Sequence, residues 1–223
     1  MGEFIRLTAA DGHESGAYLA KPDGAPRGGL IVGMEMYGVN GYVTGLCDAW
    51  AAEGYACVAP ALFDRLERAL VLPYDEAGSR RGKALSAIVD HAKTVLDVEA
   101  AAAAVRPAGR VAIMGFCFGG TVTWIAACRC ALDAGIAYYG SDMCDYADED
   151  ARCPVICHVG ALDNIVPPEH VAAFEARHPD VRWYVYPGAH HGFDNRGRPA
   201  RYSATASALA RARTRAFLAG TIG

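Results

Sequence analysis

The chain has 223 residues, 21 basic and 25 acidic, for a formal net charge of −4. That mild acidity, with no dense basic run, argues against a nucleic-acid partner. Hydrophobic residues make up 52%, which rules out disorder and a collagen-like fibre. No apolar run reaches the ~18 residues that cross a bilayer. The opening MGEFIRLTAADGHES is polar and lacks the apolar stretch of an export signal. The expectation is therefore one α/β domain over residues 1–223, cytoplasmic, with no membrane partner. Eight cysteines are present (Cys47, Cys57, Cys117, Cys128, Cys130, Cys144, Cys153 and Cys157). In a chain of this length without an export signal they read as reduced thiols. Cys128-x-Cys130 and Cys153-x-x-x-Cys157-His158 lack the spacing of a zinc site, so no metal is expected.

In chain order, Glu3–Leu7, a turn at Asp11-Gly12 and Gly16–Ala20 read as a hairpin. Gly29–Gly33 is a short apolar run bounded by glycine, a buried strand. Tyr42–Glu53 has helical spacing and stops at Gly54. Tyr55–Ala59 is a second buried strand, stopped by Pro60. Ala61–Arg81 shows little periodicity and reads as a long loop of the kind that serves function. Lys83–Val105 reads as one continuous helix, its Ala-rich part Glu99–Val105 a strong helix former. Arg110–Met114 is a strand, followed by a helix running to about Ala131. Gly135–Tyr139 and Pro154–Val159 are strands, Pro168–Arg177 a helix with Pro in its first turn, Val181–Tyr186 a strand and Arg201–Leu218 a last helix. Strands alternating with helices predict a mostly parallel sheet covered on both faces and opened by an antiparallel hairpin.

In such sheets, sites form where strands end. After Arg110–Met114 comes Gly115-Phe116-Cys117-Phe118-Gly119-Gly120, a strand-to-helix turn of the nucleophile-elbow pattern with Cys in place of Ser. The glycines flanking Cys117 permit a sharp turn, and a helix N-terminus favours a thiolate. A dinucleotide fingerprint and a Walker loop both fail on their glycine spacing. The bland alternative is a glycine turn around an inert buried thiol. After Pro154–Val159 stands Asp163, which could orient an imidazole or cap a helix. After Val181–Tyr186 stand His190 and His191. The order Cys117, Asp163, His191 is the nucleophile–acid–base order of α/β-hydrolases. The loop after Gly29–Gly33 carries Glu35 and Met36, where the fold draws the second N–H of an oxyanion hole, the first coming from Phe118. A carboxylate there opposes a developing oxyanion. Glu35 is therefore expected either to pair with an arginine or to handle protons.

These segments resemble the dienelactone hydrolase (carboxymethylenebutenolidase) family. The matching residues are TAADGHESGAYLAKP at Thr8–Pro22, MEMYGVN at Met34–Asn40, AAEGYACVAPALFDR at Ala51–Arg65, GFCFGG at Gly115–Gly120, YYG at Tyr138–Gly140, GALDNIVP at Gly160–Pro167 and YPGAHHGFDN at Tyr186–Asn195. The resemblance implies an α/β-hydrolase fold and hydrolysis of a small ester or lactone without metal or cofactor. It also implies a Cys117–His191–Asp163 triad with Glu35 beside the nucleophile and Tyr37 at the substrate. His190 replaces a usual glycine. Family members hold a substrate carboxylate with one arginine from the long loop, for which Arg80 and Arg81 are the candidates, and one shortly after the catalytic His, where Arg196 and Arg198 fall a little late. Two other readings stay open. One is a carboxylesterase or thioesterase whose acyl pocket is lined by Phe116, Phe118, Trp124, Tyr138 and Tyr139. The other is a non-catalytic binding protein on the same fold. The expected assembly is a monomer or small homo-oligomer.

Overall fold

The computed structural model describes residues Met1–Gly223. Eight strands form one sheet in the order β1-β2-β4-β3-β5-β6-β7-β8. They are β1 (Glu3–Thr8), β2 (Glu14–Ala20), β3 (Gly28–Gly33), β4 (Tyr55–Pro60), β5 (Val111–Phe116), β6 (Ala134–Tyr138), β7 (Val155–Gly160) and β8 (Arg182–Tyr186). The first two pairings, β1 with β2 and β2 with β4, are antiparallel, and every later one is parallel. The central strands β3, β4, β5, β6 and β7 are buried along their whole length. This explains why they read as continuous apolar runs while the edge strand β1 alternates.

Six helices cover the sheet: α1 (Gly41–Ala52), α2 (Glu76–Ser86), α3 (His91–Val105), α4 (Phe118–Arg129), α5 (Pro168–Arg177) and α6 (Ala204–Thr221). Three boundaries differ from the sequence reading. The supposed loop Ala61–Arg81 ends in α2, whose N-cap Asp75 accepts from the Gly78 N–H at 2.8 Å. The helix read over Lys83–Val105 is two helices. Asp90 caps the second of them through the N–H groups of Ala92 and Lys93, and residues 87–90 turn between them. The last helix starts at Ala204 because Ser203 caps it. No helix is long and apolar enough to cross a membrane.

α2 rides close over the loop that follows β3. A side chain at Gly82 would put its Cβ 2.5 Å from the Met36 carbonyl oxygen, and one at Gly78 would meet the Pro73 carbonyl at 2.0 Å. The middle of the fold is tighter still. A Cβ at Gly115 would lie 1.9 Å from the Gly119 carbonyl oxygen, and one at Gly119 would lie 2.3 Å from that of Gly33. Gly119→Ala is expected to destabilise by about 3 kcal/mol or more, since backbone rather than a flexible side chain must move. The Tm should fall by roughly 6–12 °C for a chain of this size. Gly45→Ala, in the middle of α1 with open space around it, should instead stabilise by about 0.5–1 kcal/mol. Thermal melts of the two variants check both signs.

Candidate active site

Cys117 sits at the junction of β5 and α4 with φ 54° and ψ −116°. A non-glycine residue held at positive φ is uncommon and typically costs about 1–3 kcal/mol. The surroundings hold it there. Its N–H donates to the Tyr138 carbonyl at 3.0 Å, and the Gly119 N–H donates to the Met34 carbonyl at 2.9 Å. The second bond ties the turn to the loop after β3. As a result Phe118 and Met36 line the same cavity as Cys117, and neither backbone N–H donates to a protein acceptor. Two free donors beside a cysteine at a helix N-terminus can receive an oxyanion.

His191 Nδ1 meets Asp163 Oδ2 at 2.9 Å, and both residues are buried. Asp163 Oδ1 accepts from the N–H groups of Ile165 at 2.8 Å and Val166 at 3.0 Å. The carboxylate is thereby oriented by its own loop, a local Asx turn. Burial works to raise the Asp163 pKa, but the bonds from His191 and the two backbone N–H groups hold it below the usual value. For His191 the balance runs the other way. Burial works to lower its pKa, while the charge of Cys117 and the bond to Asp163 outweigh that and push it up to about 10. Its buried Nε2 makes no hydrogen bond of standard geometry. Tyr139 packs edge-to-face on the imidazole with ring centroids 5.0 Å apart. Tyr139 is itself held at φ 40°. His190 is exposed, and its Nδ1 faces the Leu162 carbonyl at 3.2 Å.

Glu35 is 1% exposed. The arginine pairing considered from the sequence is not formed. Oε2 instead accepts from Asn195 Nδ2 at 2.6 Å, and Oε1 is buried with no partner. Burial raises the Glu35 pKa, opposed by the field of Arg198 and the bond from Asn195. The loop after His191 is anchored by its next acid. Asp194 is fully buried, takes two bonds from Arg211 and one each from Ser207 and Tyr42, and so fixes the loop to α6 and α1.

Cys117 and His191 open on a cavity of about 570 Å³. Tyr37 lines it, its hydroxyl 3.0 Å from Ser79 Oγ. Arg80 and Arg81 do not line it. Arg80 turns back to Glu76 one helical turn away, and Arg81 pairs with Glu67, all on exposed surface. Helix α2 presents these two guanidiniums to solvent, which a loop reading could not foresee. The cations on the cavity wall are Lys83, Arg198 and Arg201. Arg198 lies over the rings of Tyr37 and Tyr74 at 5.4 and 5.8 Å, and neither Arg198 nor Arg201 has a carboxylate partner. Of the five aromatics considered for an acyl pocket, only Phe118 reaches the cavity; Phe116, Trp124, Tyr138 and Tyr139 are core. All eight cysteines are free thiols, and no group of three or more His, Cys, Asp or Glu side chains is placed to hold a metal.

The sequence profile of the dienelactone hydrolase family matches residues 16–221. This chain belongs to the dienelactone hydrolase family. It is an α/β-hydrolase, and a hydrolase by activity. A carboxymethylenebutenolidase of Pseudomonas putida is 30% identical over 97% of this chain and 96% of its own length. An Azospirillum brasilense protein assigned to the same activity is 33% identical over 98% and 99%. A crystal structure of a Klebsiella pneumoniae protein assigned as a dienelactone hydrolase superposes with a TM-score of 0.81 at 28% identity, covering 97% of this chain and 99% of that one. The fold is also shared with a dienelactone hydrolase-like promiscuous phosphotriesterase from metagenomic libraries, at TM-score 0.79 and 22% identity over 100% and 99% of the two chains.

The charged pair of His191 and Asp163 makes a two-sided pH prediction. The raised His191 pKa contributes stability that is whole below pH 6.5 and is lost as pH rises toward 10. The lowered Asp163 pKa contributes stability that is whole above pH 3.8 and is lost as pH falls below it. The stability gap between the wild type and Asp163→Asn should therefore be widest near pH 5–6 and narrow in both directions. Denaturant melts across pH measure it.

Proposed function

We propose that the chain hydrolyses a small ester or lactone through a thioester on Cys117, acting as a dienelactone hydrolase. The observation that carries this reading is the strained Cys117, placed at a helix N-terminus beside two free backbone N–H groups and next to a histidine hydrogen-bonded to a buried aspartate. Cys117 gives its thiol proton to Glu35 as its Sγ attacks the acyl carbon, and the C–O π bond becomes an oxyanion held by Phe118 N–H and Met36 N–H. Each such donor commonly contributes about 3 kcal/mol to the transition state. Collapse re-forms the carbonyl and breaks the C–O bond to the leaving enolate or alkoxide, which takes a proton from His191 Nε2. A water then gives its proton to His191, attacks the thioester and expels the Cys117 thiolate, which recovers its proton from Glu35. Asp163 keeps the imidazole in the tautomer and orientation both steps need. In this reading Glu35, whose Oε1 is buried without a partner, is the group that takes the thiol proton and returns it.

The substrate end distant from the scissile bond is read from charge. Arg198 and Arg201 face the cavity without carboxylate partners, so an acyl group ending in a carboxylate fits there. They take the place expected for Arg80 and Arg81. The whole chain acts as one domain, without metal or organic cofactor. A thiol nucleophile suits a good leaving group such as an enol, which favours lactone and ester cleavage over peptide cleavage.

Cys117→Ala should lose more than about 10³-fold in kcat/KM with its melting curve unchanged. His191→Ala should fall by a similar factor and His190→Ala by less than about tenfold, because only His191 bonds Asp163. Comparable activity in Cys117→Ala would overturn the reading. Arg198→Ala should raise KM for a carboxylated ester about 10- to 100-fold, the worth of one charge-assisted hydrogen bond, and leave a neutral ester unchanged. Steady-state kinetics on the two esters decide it.

A further inference from the structure

Glu35 is held by a neutral relay. The Gly197 N–H donates to Asn195 Oδ1 at 2.8 Å, which fixes the amide so that its NH2 group faces Glu35. Nδ2 then donates to Glu35 Oε2 at 2.6 Å and to the Tyr74 hydroxyl at 2.9 Å. Tyr74 also accepts from Asn40 Nδ2 at 2.9 Å, while Asn40 Oδ1 caps α1. Asn195 is 0% exposed. Glu35 is thus tied through amides and a phenol to a helix cap on one side and to the anchored loop after His191 on the other. None of these links carries a charge.

The free guanidiniums stand elsewhere. Arg198 lies on the faces of Tyr37 and Tyr74, and Arg201 lies further along the cavity wall. Had a guanidinium held Glu35, an arriving carboxylate would compete for it, and the charge of the substrate would become part of the chemical step. A primary amide offers a carboxylate far less than a guanidinium does. In this chain the anion site and the clamp on Glu35 are different side chains.

We propose that Asn195 is a specificity-determining residue that holds Glu35 in one place whether or not the substrate carries a carboxylate. The charge of the acyl group then reaches Glu35 only through the field of Arg198 and not through a shared bond, so it governs binding far more than turnover, and neutral esters and lactones that fit the cavity are cleaved nearly as fast, once bound, as anionic ones. The proposal rests on the reading of Cys117 as the nucleophile with Glu35 beside it.

The test uses two aryl esters with one leaving group and one acyl chain, the chain ending in a carboxylate or in a carboxamide. For the wild type, kcat should agree within about threefold across the pair, while KM for the carboxamide is about 10- to 100-fold higher. Millimolar acetate should not accelerate the carboxamide ester. Asn195→Ala should lower kcat about tenfold for both esters alike, and Asn195→Arg should lower it preferentially for the carboxamide. If Asn195→Arg fails to fold, the wild-type pair and Asn195→Ala still decide the matter. A wild-type kcat about 30-fold lower for the carboxamide, or acceleration by acetate, would overturn the proposal. Cys117→Ala run alongside separates the two failures. If that variant stays active, the nucleophile reading is wrong. If it is inactive while the wild-type kcat splits, the role of Asn195 alone is wrong.

Discussion

Backbone meets backbone where the turn after β5 crosses the end of β3. With the virtual Cβ of Gly115 at 1.9 Å from the Gly119 carbonyl and that of Gly119 at 2.3 Å from the Gly33 carbonyl, no side chain fits at either position. Cys117 sits inside this crossing at positive φ and lines the cavity above it. The same crossing brings Phe118 and Met36 to one cavity wall. The Gly119 N–H bond to the Met34 carbonyl makes the two loops one unit, so both donors of the proposed oxyanion hole are set by a single crossing. The local strain is of the order of 1–3 kcal/mol. A core cluster of 49 buried residues that includes Cys117, Phe116 and Phe118 offsets it.

A second constraint fixes the proposed base. The segment after His191 would be a mobile surface loop if left to its sequence, which is rich in Gly, Pro and Arg. Instead Asp194 draws it down onto Arg211, Ser207 and Tyr42. Removing one partner of so buried an ion pair is far more costly than the pair is stabilising. This arrangement therefore specifies position more than it adds stability. From that anchor the chain places His191 against Asp163 on one side and Asn195 against Glu35 on the other. Gly192 at φ +80° makes the turn between them. The imidazole and the buried carboxyl consequently share one rigid support.

The strands, the hairpin and the placement of Cys117, Asp163 and His191 just past strand ends were legible because each depends on a local pattern: an apolar run, a glycine pair, a residue following a strand. Helix α2 was not. It buries only Gly78, Gly82 and Leu85, two of them glycines, so it carries almost no apolar stripe, and its start rests on one Asp75 cap. The break between α2 and α3 was hidden because both sides consist of good helix formers. Arg80 and Arg81 were misplaced as a consequence, since their partners Glu76 and Glu67 follow from the helix. Asp194 and Asn195 close a segment that matches the family, but their roles were not legible, because their partners are distant in sequence, Arg211 with Tyr42 for one and Glu35 for the other. A polar residue reads as loop until its buried contacts are known.

The central claim is that the acyl group passes through a covalent bond to Cys117. Intact-protein and peptide mass spectrometry after acid quench of a slow ester tests it directly. The account predicts one added acyl mass on the peptide containing Cys117, removed by neutral hydroxylamine as a thioester is, whereas any acyl group carried by Cys117→Ser is an oxygen ester and survives the same treatment. An acyl mass on another residue, or turnover with no acyl adduct at Cys117 under conditions where product burst is seen, would contradict it.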